Sequence, residues 1–84
     1  MITAEVTVHY KQGILDPQGK AVHHALESLD IQGVGEVRVG KHIVLNYPSL
    51  SRDEAREATE RACEKILSNP VIEDYEFELV EETS

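Results

Sequence analysis

Apolar and polar residues alternate from the first residues of the chain. Ile2, Ala4, Val6, Val8 and Tyr10 share one face, and Thr3, Glu5, Thr7 and His9 share the other. Period two with β-branched side chains marks a half-buried strand. Asp16-Pro17 then reads as an N-cap followed by proline at the first helical position, where its missing N–H costs nothing. Val22, Ala25, Leu26 and Leu29 follow at helical spacing, predicting a helix over about residues 17–30, with Gly33 and Gly35 in the loop beyond it. Val37 and Val39 alternate with Glu36 and Arg38, and after Gly40-Lys41 so do Ile43, Leu45 and Tyr47. Two alternating runs around a Gly-X pair predict a hairpin with a type II′ turn at Gly40. Pro48 ends that strand. Ser51 and Glu54 form a capping box, and Ala55, Ala58, Ala62, Ile66 and Leu67 stripe a second helix that Asn69-Pro70 stops. Tyr75, Phe77 and Leu79 alternate with carboxylates in a final strand, and residues 81–84 read as a frayed tail.

The order β-α-β-β-α-β predicts an α+β, ferredoxin-like domain: a four-stranded antiparallel sheet with two helices on one face. Ile2, Val6, Val8, Val37, Val39, Ile43, Leu45, Phe77 and Leu79 are expected beneath the helices. Thr3, Glu5, Thr7, His9, Arg38, Val44, Asn46, Glu76 and Glu78 are expected on the open face. An open face and unpaired edges suit a second subunit.

Length and charge narrow the function. The chain has 84 residues, enough for one domain spanning residues 1–84, a size at which a core and a deep substrate cavity are hard to combine. Sixteen acidic against eight basic residues give a net charge of -8, which argues against binding phosphate backbones or anionic membranes. Cys63 is the single cysteine, so a disulfide within the chain is excluded, and the residue reads as a small buried hydrophobe. No signal peptide or membrane-length apolar run is seen, which predicts a cytoplasmic protein.

Chemistry is sparse. His23 and His24 are adjacent on a helix and diverge by about 100°, and His9 and His42 have no ligand at metal spacing. No serine sits in a strained glycine-rich elbow, and neither GxGxxG nor GxxxxGK[ST] is present. The acidic run from Glu73 to Glu78 reads as the solvated side of a strand. Neither a catalytic site nor a cofactor or metal site is expected.

Three stretches exceed what turns require. They are KQGILDPQG (residues 11–19), VRVGK (37–41) and NPVIEDY (69–75), where Val71 and Ile72 place apolar side chains in a loop. These stretches, extended back to Cys63, resemble the PurS subunit of phosphoribosylformylglycinamidine synthase, in the family's order and over essentially the whole chain. The resemblance implies a non-catalytic accessory subunit in de novo purine synthesis. It would be a homodimer or tetramer that joins a PurL-type synthetase, which uses ATP and Mg, to a PurQ-type glutaminase, and would support ammonia transfer between them. Pro17, Gly19, Arg38, Gly40, Lys41, Asn69, Pro70 and Tyr75 are the expected partner-contact residues. The same order of elements also admits an amino-acid-binding ACT-like regulatory module. An acylphosphatase-type enzyme fits less well, because no anion-binding loop pairs an Arg with an Asn after the first strand.

Overall fold

The computed structural model describes residues 1–82. Its elements are β1 (Ile2–Tyr10), α1 (Pro17–Ser28), β2 (Lys41–Tyr47), α2 (Arg52–Ala62) and β3 (Glu73–Glu81). A π-helical turn, Cys63–Leu67, continues α2. The sheet is antiparallel with order β2-β1-β3, so β1 is central. Val8 sits opposite Lys41 on one side and Tyr75 on the other.

Both helix starts form as their sequences dictate. The Asp16 carboxylate accepts from the Gly19 N–H at 2.8 Å, and Pro17 opens the helix. The Ser51 hydroxyl accepts from the Glu54 N–H while the Glu54 carboxylate accepts from the Ser51 N–H. The core lies between the sheet and α2. Ile2, Ala4, Ala55 and Leu79 form one cluster, and Val6, Val8 and Cys63 another. Thr59, fully buried on α2, donates to the Ala55 carbonyl and shares a 2.9 Å hydrogen bond with the Tyr47 hydroxyl.

Three sequence expectations are corrected. The four-stranded sheet has three strands among the described residues: residues 31–40 join none. The type II′ hairpin at Gly40 is absent, since the positive φ angles belong to Gly13, Gly33 and Asp30, and Lys41 already begins β2. The physical reason is local. Alternation marks which face Val37 and Val39 share but names no strand partner, and the Val39 N–H is taken by the Asp16 carboxylate at 2.8 Å. Second, only α2 packs extensively on the sheet. Helix α1 stands off it, leaving Val22 exposed and the following Leu29 70% exposed. Third, Ile66 is not in the core stripe. The π-helical turn bonds Ser68 N–H to the Cys63 carbonyl, five residues back, so Cys63 and Leu67 face the core and Ile66 is 79% exposed.

The chain end also differs from expectation. Glu81 pairs with Ile2, and the Glu82 N–H donates to the Met1 carbonyl. The rest of the expected tail, Thr83 and Ser84, lies outside the described residues. No helix among the described residues is long and apolar enough to cross a membrane.

Candidate functional site

The three conspicuous stretches converge on one end of the sheet. Lys11 leaves β1 by donating its N–H to the Ile72 carbonyl at 2.8 Å, and its ammonium lies 3.6 Å from Asp74. That joins the first stretch to the third. Asp16 joins the first to the second: one carboxylate oxygen caps Gly19 and the other holds Val39. The two main-chain donors, Gly19 first and then Val39, lower the Asp16 pKa below its ordinary value. The second stretch meets the third through Lys41, whose ammonium lies 3.7 Å from Glu73. The other oxygen of Glu73 accepts the Asn69 N–H at 2.7 Å.

Each expected contact residue has a definite place here. Pro17 is exposed at the start of α1. Gly19 is buried because the Val37 carbonyl crosses directly over it; a Cβ there would overlap that oxygen and approach Asp16 Oδ2 to 2.8 Å. Arg38 reaches the Tyr10 and Lys11 carbonyls at 2.9 and 3.3 Å and pairs with Glu36 at 3.1 Å. Gly40 serves close approach rather than a turn, since a Cβ would come within 2.6 Å of the Val8 carbonyl. Asn69 organises a tight turn: its side-chain oxygen accepts from the Val71 N–H, and its carbonyl accepts from Ile72 and Glu73. Pro70 and Val71 project outward there, Val71 78% exposed. Tyr75 is set apart from these. It packs half-buried against the Val6–Val8–Cys63 cluster beside Phe77, and burial raises its pKa, with the charge of Glu64 adding to it.

Asp16, Glu36 and Glu73 complete the network, and the sequence flagged only Asp16, as a cap. Glu73 carried one signal, its place beside the Asn69-Pro70 break, but its bond to Asn69 depends on the turn the chain makes. A cleft of about 260 Å³ lies between α1 and the second stretch, bordered by Ile14, Lys20, His23 and Gly35. His23 Nε2 lies 3.0 Å from the Val34 carbonyl. Among the described residues no group of three or more His, Cys, Asp or Glu is placed to hold a metal ion. Cys63 is fully buried, and burial, followed by Glu60 and Glu64, raises its thiol pKa. The arrangement is a scaffold of loops pinned by main-chain bonds, presenting Arg38, Lys41, Pro70 and Val71 at one end.

Known proteins resemble the chain over nearly all of its length. Residues 3–81 match the family model described as PurS: Phosphoribosylformylglycinamidine (FGAM) synthase. Phosphoribosylformylglycinamidine synthase subunit PurS of Bacillus subtilis is 43% identical over 81 residues, covering 96% of this chain and 95% of the relative. Methanocaldococcus jannaschii PurS, one of the subunits of formylglycinamide ribonucleotide amidotransferase in the purine biosynthetic pathway, superposes with a TM-score of 0.88 at 34% identity, covering 99% of this chain and all of that one. A chain of the PurLQS structure from Thermotoga maritima gives a TM-score of 0.81 at 30% identity, covering 95% of this chain and 99% of that one.

Proposed function

Since this chain belongs to the PurS family of phosphoribosylformylglycinamidine synthase subunits, we propose that it is the accessory subunit that joins a PurL-type synthetase to a PurQ-type glutaminase in purine biosynthesis. The observation carrying this reading is the likeness, over 95% of this chain, to a chain of a PurLQS structure. The local chemistry agrees. The three stretches meet in a pinned surface of exposed loops, which suits docking better than bond-making. ATP and Mg belong to the synthetase subunit, and this chain supports ammonia transfer from glutamine by holding the two partners in place. Pro17, Gly19, Arg38, Gly40, Lys41, Asn69, Pro70 and Tyr75 remain the residues proposed to shape or make those contacts.

The subunit acts as a homodimer or a tetramer. Exposed Val22, Leu29 and Ile31 on and after α1, and a segment without strand partners, leave the chain open where a second copy would cover it. The full ferredoxin-like layering of four strands and two helices is a property of that assembly. A cytoplasmic location fits this role.

Reconstitution tests the reading. Formation of phosphoribosylformylglycinamidine from glutamine by the synthetase and glutaminase should require this subunit, and formation from free ammonia should depend on it far less. Unchanged glutamine-dependent turnover in its absence would remove the proposal.

A further inference from the structure

Residues 32–39 form no main-chain hydrogen bonds with other main-chain groups among the described residues. Yet the segment is held in place. Val39 N–H is fixed by Asp16, the Val37 carbonyl lies over Gly19, and Arg38 is anchored to the Tyr10 and Lys11 carbonyls. Main-chain groups of successive extended residues point to opposite sides. Those of Val37 and Val39 point toward α1, so those of Glu36 and Arg38 point away from it, along an edge with no main-chain partner among the described residues.

That edge is self-complementary. In an antiparallel pair centred on Val37, residue 36 of each copy lies opposite residue 38 of the other. Two Glu36–Arg38 pairs then form across the axis, and the two Val37 side chains meet on it. The order of groups agrees with the geometry. Glu36 and Arg38, whose N–H and C=O face outward, become the hydrogen-bonded pairs, and Val37 becomes the close, non-hydrogen-bonded pair between them. Glu36 and Arg38 already share one side of the segment, since their side chains meet at 3.1 Å within the chain. Further out, the same register places Gly35 opposite Val39, so the β-branched side chain faces a residue with none.

We propose that residues 36–38 are the dimerisation strand: they pair antiparallel with the same residues of a second copy, about a two-fold axis at Val37, and exchange the Glu36–Arg38 ion pair. The proposal rests on the reading of this chain as a self-associating subunit and assigns the strand and its register. The interface is isologous, so one charge rule fixes both halves. It also supplies strand partners to the residues that alternate in the sequence but join no sheet within one chain.

Two measurements on the isolated subunit test it. Val37→Cys should cross-link to a dimer under mild oxidation, because Cα atoms of a non-hydrogen-bonded antiparallel pair lie about 4.5 Å apart, within disulfide range. Val44→Cys, on the open face of β2, should not, and buried Cys63 should leave the parent protein uncross-linked. Separately, Glu36→Arg should weaken dimerisation at least tenfold by sedimentation equilibrium, while Glu36→Gln, which removes the charge without reversing it, should weaken it less. Among the described residues Glu36 bonds only to Arg38, so Glu36→Arg should leave the fold intact, which circular dichroism checks. A monomeric parent protein, a dimer in which Val37→Cys fails to cross-link, or a Glu36→Arg variant that dimerises as tightly as the parent would each overturn the pairing. Cross-linked dimers that fail to support glutamine-dependent turnover would leave the pairing standing and count against the assembly role alone.

Discussion

Asp16 accepts main-chain hydrogen bonds from residues 3 and 23 positions away, Gly19 and Val39. One side chain therefore starts α1 and fixes the segment crossing it. Both bonds favour the ionised carboxylate, which lowers its pKa from 3.8. The stabilisation is complete above the unfolded value and is lost as pH falls below about 4 through the lower folded value. Glu54, lowered by the Ser51 N–H and hydroxyl, adds a contribution of the same sign. Asp16→Asn should therefore lower the denaturant midpoint at pH 7 and remove only part of the loss seen on acidification, as titration of the midpoint between pH 2 and 7 would show. Gly19→Ala probes the same junction from the other side. Alanine gains up to about 1 kcal/mol of helix propensity, but the Val37 carbonyl is main chain and cannot swing aside, so a net loss of ~1–3 kcal/mol is expected by urea unfolding. The cap at Asp16 was legible in the sequence because capping is local. Its hold on Val39 was not, since nothing in the residue types says where residue 39 passes.

Elements were legible to the extent that their determinants are local. Caps and breaks gave both helices, and alternation gave β1, β2 and β3. The capping box of α2 should be directly measurable: Ser51→Ala removes the acceptor for the Glu54 N–H and should cost ~1 kcal/mol in thermal or urea unfolding. The π-helical turn was not legible, because the extra residue per turn answers to packing. Cys63 and Leu67 both reach the core, and Ser68 adds a 2.8 Å bond from its hydroxyl to the Cys63 carbonyl. The alternation of Val37 and Val39 marks a shared face and does not mark half of a hairpin. A face needs only the residue types, whereas a strand needs a neighbour.

The molecule as a whole is extended. Its Cα radius of gyration is 16.4 Å, against about 12 Å for a compact chain of this length, and its thinnest dimension is 15 Å. The excess comes from α1 and the segment after it, which stand clear of the α2-covered sheet. A chain so open leaves apolar surface to be covered by association, and its stability should depend on protein concentration. The thermal midpoint should rise as the subunit is concentrated through the micromolar range and become flat once pairing is complete. A midpoint independent of concentration at dilutions where sedimentation shows monomer would contradict this.

The far edge of the sheet has the opposite character. Strand β3 sets Asp74, Glu76 and Glu78 on one face, and antiparallel pairing of β3 with its own copy about any residue from 74 to 78 places carboxylate against carboxylate. An open sheet with two receptive edges would add copies indefinitely into a ribbon. Here one edge invites its like and the other repels it, so growth by strand addition halts after a single step. The acidity that tells so little about chemistry thus acts as a chain terminator, keeping the protein a closed, countable particle instead of a fibre.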